Sequence, residues 1–265
     1  MFGRILPLAL LLLCAKADVA PATAGDVLDM SGLELTFSED FDSLDVSAWG
    51  PGTRWIAHTP WKGDFGSARF VDPKPGFPFM IDNGHLRIEA IKGPNNKWQS
   101  GMLASVDAAF KGFAQQFGYF EINAKLPAGK GLWPAFWLVG VNRSTHTSEV
   151  DVLEHYGHMP DRYTTSIHVW DRAQPKKTLT SHRQISVPLG SLYESFHSYG
   201  VKIDRDDIRF YFDRREVWSA PTPLQHHQPM FLLLNLALGA GWPIEAAPSP
   251  SFMYVDYVRV WRQKD

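Results

Sequence analysis

Cysteine is nearly absent: Cys14 is the only one among 265 residues. Disulfides therefore cannot carry the stability of this chain, and a core of this size does not need them. Excess positive charge is also missing. The 26 basic residues are outnumbered by 28 acidic ones, for a formal net charge of −2. No basic run or arginine-rich stripe occurs, which excludes a nucleic-acid surface. No apolar run is long enough to span a bilayer. Long stretches of helical periodicity and internal repeats are lacking too. His146, His155 and His158, with the pair His226-His227, invite a zinc reading. Their spacings fit no standard ligand pattern and no cysteine accompanies them, so no catalytic metal is expected.

What remains is rich in strand signals. His85–Ala90, Gly118–Leu126, Ser198–Ile203, Ile208–Phe212 and Met253–Trp261 alternate polar and apolar residues. Asp213-Arg214-Arg215 reads as a hairpin turn between two such runs. Phe231–Leu238 is continuously apolar except for Asn235, as expected of a strand buried on both faces. Many short strands punctuated by Gly and Pro indicate an all-β sandwich or barrel. At the start, Arg4 precedes an apolar run from Ile5 to Ala15 and then Ala15-Lys16-Ala17. This is the layout of a secretory signal peptide over residues 1–17. Its removal takes away Arg4 and Lys16, leaving 24 basic against 28 acidic residues. Residues 18–32 are small and polar and read as a flexible lead-in. A single domain is expected over residues 33–265.

The strongest chemical signal is Glu149-Val150-Asp151-Val152-Leu153-Glu154. Branched aliphatics between acids favour a strand over a helix. On a strand Glu149 and Asp151 share a face, whereas Glu154, five positions on, would face the other way. One extra residue corrects that parity, so a β-bulge is expected near Val152–Leu153. The bland alternative is a solvated strand with acids facing water. Three carboxylates on one face repel, which drives their pKa values apart. One ionised and one protonated carboxyl is what glycoside hydrolysis uses.

Ten tryptophans point the same way. Sugar rings stack on aromatic faces, and an aromatic-lined cleft with a few aimed polar groups is a common binding design. Trp133 and Trp137 share a strand face with Ala135. Trp55, Trp61, Trp98, Trp170 and Trp242 lie in loop-like, Pro- and Gly-rich surroundings. Any single tryptophan is more simply a core residue. As a group beside the acids, they are expected to line a cleft.

Together these pieces resemble glycoside hydrolase family 16, the concanavalin-like β-jelly-roll glucanases. The resemblance runs from about Leu35 to Trp261. It rests on Leu35–Phe41, Lys125–Trp137, the acid triplet, Phe196–Gly200, Leu234–Gly239 and Val255–Val260 in that order. It implies a single-domain β-jelly-roll sandwich of two antiparallel sheets with a concave substrate cleft. It implies Glu149 as nucleophile, Asp151 as the residue tuning it, and Glu154 as general acid and base. Trp133, Trp137, His168, Asn235 and Trp242 are expected to bind substrate. The six-residue triplet looks like the laminarinase branch. Asp256 matches a position that in some relatives helps hold a structural calcium; no cofactor is expected for catalysis. Two departures stand out. Gly118–Ala124 lacks both arginines of the usual G-R-x-E-x-R, and Glu39-Asp40-Phe41 replaces D-E-F.

The implied protein is a secreted, endo-acting, retaining hydrolase of β-1,3- or mixed β-1,3/1,4-glucan, with a polysaccharide as partner and a monomeric state. Rival readings are a transglycosylase, a hydrolase of exopolysaccharide or galactan, and a non-catalytic binding protein. Such binding proteins usually lack one or both glutamates, and both are present here.

Overall fold

The structure, a computed structural model, describes residues 19–21 and 25–264. Residues 1–17, read above as a signal peptide, lie outside the described residues. Two sheets of ten strands each face one another. At the centre of the first, Leu179–Ser186, Arg162–Asp171, His146–Glu154, Leu132–Gly140, Met230–Leu238 and Met102–Ala104 lie side by side. The second is built around Asp207–Phe212, His197–Ile203, Gly118–Lys125, Ser251–Gln263 and His85–Lys92. Every alternating segment read from the sequence is a strand. The sheets are not purely antiparallel, as expected above, but mixed. Three short edge pairings are parallel: Val19–Pro21 with Leu179–Ser186, Val46–Ser47 with Trp55–Ile56, and Ala68–Phe70 with Trp98–Ser100. Each involves at least one strand of only two or three residues. Among the described residues, no helix is long and apolar enough to cross a membrane.

The main core fills the space between the sheets. Ile122 and Ala124, Val201 and Ile203, and Val258 and Val260 face Phe136 and Leu138, Val150 and Val152, and Leu234 and Leu236. A second apolar cluster covers the opposite face of the first sheet and contains Ala135, Trp137, Val139, Phe231, Leu233 and Ala237. The strand Met230–Leu238 is thus buried on both faces. Leu232, Leu234, Leu236 and Leu238 enter the main core. The other row includes Phe231, Leu233 and Ala237, and by alternation Asn235 belongs to it.

The lead-in is not free over its later part. Leu28 is buried and its N–H donates to the Arg214 carbonyl at 2.8 Å; the Glu216 N–H donates to the Asp26 carbonyl at 3.0 Å. Gly25 runs so close that a Cβ would fall 1.9 Å from the Glu216 carbonyl oxygen. Composition suggested mobility, but backbone pairing to the hairpin holds this segment down.

That hairpin turns at Asp213 and Arg214, with φ of 47° and 59°, the left-handed pair that suits the twist of a tight hairpin. Arg214 then reaches the wholly buried Glu121, with Nη2 and Nε at 2.8 and 3.0 Å from its two oxygens. The Tyr119 and Tyr257 hydroxyls complete the set at 2.6 and 2.9 Å. The carboxylate whose neighbouring arginines are missing is therefore served by an arginine from a distant turn. Removing one partner of a buried pair leaves the other uncompensated. Arg214→Met should lower the free energy of urea unfolding by about 3 kcal/mol, and adding Glu121→Gln should restore part of it. An unchanged unfolding midpoint in Arg214→Met would contradict this account.

Candidate active site

The acid strand contains the bulge. Trp137 pairs with Asp151 but Phe136 pairs with Leu153, so Val152 is the extra residue. On the other side Asp151 pairs with Ser166 and Glu154 with Thr164. Val152 and Leu153 both enter the main core. Burying an aliphatic side chain is worth roughly 1.5–3 kcal/mol, against about 1 kcal/mol for an interrupted ladder hydrogen bond. Burial of both residues decides the matter, and Glu154 returns to the face of Glu149 and Asp151.

All three acids line a cleft that crosses the strands. On one side they share a cavity of about 180 Å³ with Phe65, Trp133, Ala135, Trp137 and Asn235. On the other they share one of about 450 Å³ with Tyr156, His168, Trp170, Thr180, His182 and Gln184. One side is aromatic; on the other, polar side chains stand among the rings of Trp133, Tyr156 and Trp170.

Each acid has distinct partners. Glu154 Oε1 accepts both Trp133 Nε1–H and the Tyr156 hydroxyl, at 3.1 Å each. Asp151 Oδ2 lies 3.1 Å from His168 Nε2. His168 Nδ1 lies 2.9 Å from the Thr180 hydroxyl oxygen, and the ring stacks on Trp170 at 4.6 Å. Trp137 Nε1–H donates to Asn235 Oδ1 at 2.9 Å, and Asn235 Nδ2 reaches the Trp133 carbonyl at 3.4 Å. Asn235 thus holds the Trp137 ring and the Trp133 backbone from the neighbouring strand.

Burial dominates the electrostatics. Glu149 keeps a partial opening to the cleft, yet desolvation, reinforced by Asp151, pushes its pKa up to about 8. Desolvation also raises Asp151, with Glu154 adding to the effect, and raises Glu154 against the hydrogen bonds of Trp133 and Tyr156. Asp151 and Glu154 titrate as a coupled pair. Burial lowers His168, favouring the neutral ring.

Two further buried histidines brace this strand, and sequence reasoning assigned neither a role. His226 sits on the short turn Leu224–His226, and its Nε2–H donates to the Glu149 carbonyl at 3.2 Å. His155 Nδ1 lies 2.9 Å from the Arg162 carbonyl, and Nε2 lies 3.0 Å from the Tyr193 hydroxyl. Burial pushes both pKa values down to about 4, so both rings are neutral near pH 7.

Of the residues expected to bind substrate, Trp133, Trp137, His168 and Asn235 line the cleft. Trp242 does not line either cavity; it is 42% exposed and stacks on His158 at 4.9 Å. Positive φ at Gly239, Ala240 and Gly241 turns the chain before it. Trp55 and Trp98 are core residues in short strands, not cleft lining. Trp170 lies on a strand and lines the cleft. Phe65, Tyr156, Thr180, His182 and Gln184 were not anticipated. Thr164 and Ser166 could have been, since they alternate with His168 along one strand.

Calcium takes six to eight oxygen ligands. Asp256 Oδ1 lies 3.2 Å from His85 Nδ1, and Asp256 belongs to no group of three metal-capable His, Cys, Asp or Glu side chains among the described residues. Asp40, in the segment that departs from D-E-F, is paired with Arg259. The one group of three metal-capable side chains among the described residues is Glu149, Asp151 and His168, with donor atoms within 4.8 Å of one another.

Comparison with known proteins agrees with this geometry. The sequence profile described as Glycosyl hydrolases family 16 matches residues 79–259. The chain is 33% identical over 259 residues to the endo-1,3-1,4-beta-glycanase EglC of Rhizobium meliloti (strain 1021), a match covering 88% of this chain and 53% of that protein. It thus spans about half the length of that relative. It is 28% identical over 262 residues to a beta-glucanase of Rhodothermus marinus, covering 86% and 85%. Among solved structures, SCLam, a non-specific endo-beta-1,3(4)-glucanase, superposes with a TM-score of 0.72 at 23% identity, covering 94% of this chain and 98% of that one. At that identity the likeness shows the fold.

A raised carboxyl pKa has a cost in stability. Below about 4.5 Glu149 is protonated in both folded and unfolded states; between there and about 8 only the unfolded state releases the proton, so stability falls with rising pH and levels off above. Glu149→Gln removes that loss. Its Tm should exceed that of the wild type by ~2–4 °C at pH 8, or roughly 1 kcal/mol, and by much less at pH 5. Equal Tm differences at the two pH values would exclude the desolvated state of Glu149.

Proposed function

The chain belongs to glycosyl hydrolase family 16, and on that premise we propose that it is an exported, endo-acting hydrolase of β-linked glucan that retains anomeric configuration. The observation that carries this reading is the bulged strand, with its three carboxylates on one face of an open cleft. The cleft crosses the sheet and continues on both sides of the acids, which suits an endo-acting site. The names of two relatives, an endo-1,3-1,4-beta-glycanase and a non-specific endo-beta-1,3(4)-glucanase, favour β-1,3 or mixed β-1,3/1,4 linkages. The apolar segment 5–15 supports export.

In this mechanism Glu149, as carboxylate, attacks the anomeric carbon. Glu154 delivers a proton to the leaving oxygen. Its Oε1 is occupied by two donors, so Oε2 is the oxygen that carries the proton. Once Glu149 is esterified its charge is gone, the repulsion on Glu154 falls, and Glu154 can take a proton from the incoming water. Asp151 supplies the like charge that keeps a proton within the trio during the first step. His168 holds Asp151 in place. Trp133 and Trp137 offer faces for sugar rings.

Glu149→Ala and Glu154→Gln should each reduce laminarin hydrolysis by at least ~10³-fold with the fold intact by circular dichroism. Sizing products from laminarin, mixed-linkage glucan, curdlan and agarose reads the substrate. Early NMR spectra should show the β-anomer forming first; an initial α-anomer would reject retention. Asp151→Asn removes a charge that raises Glu149. The acidic limb of kcat/KM, where Glu149 must ionise, should therefore move to lower pH, and an upward shift or none would contradict the role given to Asp151.

A further inference from the structure

Two arginines without an acidic ion-pair partner stand on the flank of the cleft. Arg143 comes from the connection between Leu132–Gly140 and His146–Glu154. Its guanidinium lies 3.9 Å over the Trp61 ring, and its Nε donates to Thr147 Oγ1 at 3.4 Å. Thr147 shares a face with Glu149 by strand alternation, so Arg143 stands one step beyond Glu149 along that row, at the margin of the two cavities and not in their lining. Trp61 meets Trp137 edge-on at 6.1 Å, and Trp137 lines the cavity. Across the sheet, Thr147 pairs with Trp170, which lines the larger cavity. Arg172 follows the histidine strand, and its Nη1 donates to the Arg143 carbonyl at 2.6 Å.

Neither guanidinium forms an ion pair with a carboxylate among the described residues. The acid whose charge Arg143 feels is Glu149 itself, while burial and Arg172 oppose its charge. Thr147 and Trp61 fix the position of Arg143 but supply no countercharge, and the Nη edge of its fork makes no hydrogen bond among the described residues. Holding two cations together, one half-buried, is unfavourable unless something else balances them. A planar guanidinium with a free edge matches the two oxygens of a carboxylate or sulfate.

We propose that Arg143, assisted by Arg172, is an anion-recognition element that fits the cleft to a β-linked glucan whose sugars carry a pendant carboxylate or sulfate. The cleft crosses the strands, whereas the row Arg143–Thr147–Glu149 runs along one. The arginines therefore face groups projecting sideways from the sugar chain beside Glu149, and not the next sugar in line. They also offset the repulsion that the three cleft carboxylates exert on an anionic polymer. This inference rests on the glucan-hydrolase reading and adds the substrate's charge to it.

The test is binding, followed by intrinsic tryptophan fluorescence, of neutral laminarin, carboxymethylated laminarin and laminarin sulfate, the last two at matched low substitution. At low salt the full chain should bind at least one anionic form ~5-fold or more tighter than the neutral one, and ~0.5 M salt should largely abolish the advantage. Which anionic form is preferred identifies the group. Arg143→Met should remove the advantage, Arg143→Lys should keep part of it, and Arg172→Gln should reduce it ~2-fold. Equal affinity for neutral and anionic forms in the wild type, or an advantage untouched by Arg143→Met, overturns the proposal. Failure of the glucan reading would look different: neutral laminarin would neither bind nor be cut.

Discussion

The structure depends on one irregularity, the extra residue at Val152. It sends Val152 and Leu153 together into the space between the sheets and turns Glu154 back toward Glu149 and Asp151. Without it the strand would keep strict alternation and Glu154 would point into the apolar core. A lone charge there would cost several kcal/mol. The bulge therefore serves the core and the cleft at once, and neither could be rebuilt without the other.

The rest of the neighbourhood stiffens that strand. Its two flanking strands pair with it on either side of the bulge. His226 takes hold of the Glu149 carbonyl from a distant turn, and His155 ties the chain just past Glu154 to Arg162 and Tyr193. Both rings are neutral and buried, so these contacts persist across the pH range in which the carboxyls titrate. Asn235 does similar work for Trp133 and Trp137. The site is assembled on strands, which hold side chains more firmly than loops do.

Stability is generated elsewhere. A two-sided core, together with the ion pair of Arg214 with the buried Glu121, allows three carboxyl groups to remain in a desolvated cleft. That arrangement opposes folding above mildly acidic pH, and its persistence is intelligible as chemistry held in place by packing. The asymmetry of the cleft, aromatic toward Phe65 and Trp137 and polar toward Thr180, His182 and Gln184, also gives the two halves of a bound glucan different surroundings.

Much of this was legible in the linear chain. Period-two alternation marked the strands because one face of each is buried. The parity of Glu149, Asp151 and Glu154 required the bulge, because five positions on a regular strand must reverse direction. The continuous run Phe231–Leu238 declared a strand covered on both sides and made Asn235 conspicuous. Sequence was misleading where the deciding contact lay far away. Trp55 and Trp98 looked like cleft residues, yet their surroundings form core strands; Trp242 looked like one too, yet it stacks on His158 outside both cavities. Residues 25–32 looked free but pair with a turn some 190 positions on. Phe65, His182 and His226 carried no local signal, since their roles come only from what the fold sets beside them. Local patterning thus determined the strands, the kink and the three acids, because those follow from alternation and burial. Only the tertiary structure decided which aromatics meet the sugar, which histidines hold the strand, and where Arg143 stands beside Glu149. Those depend on loops whose paths are set by packing, not by the residues they contain.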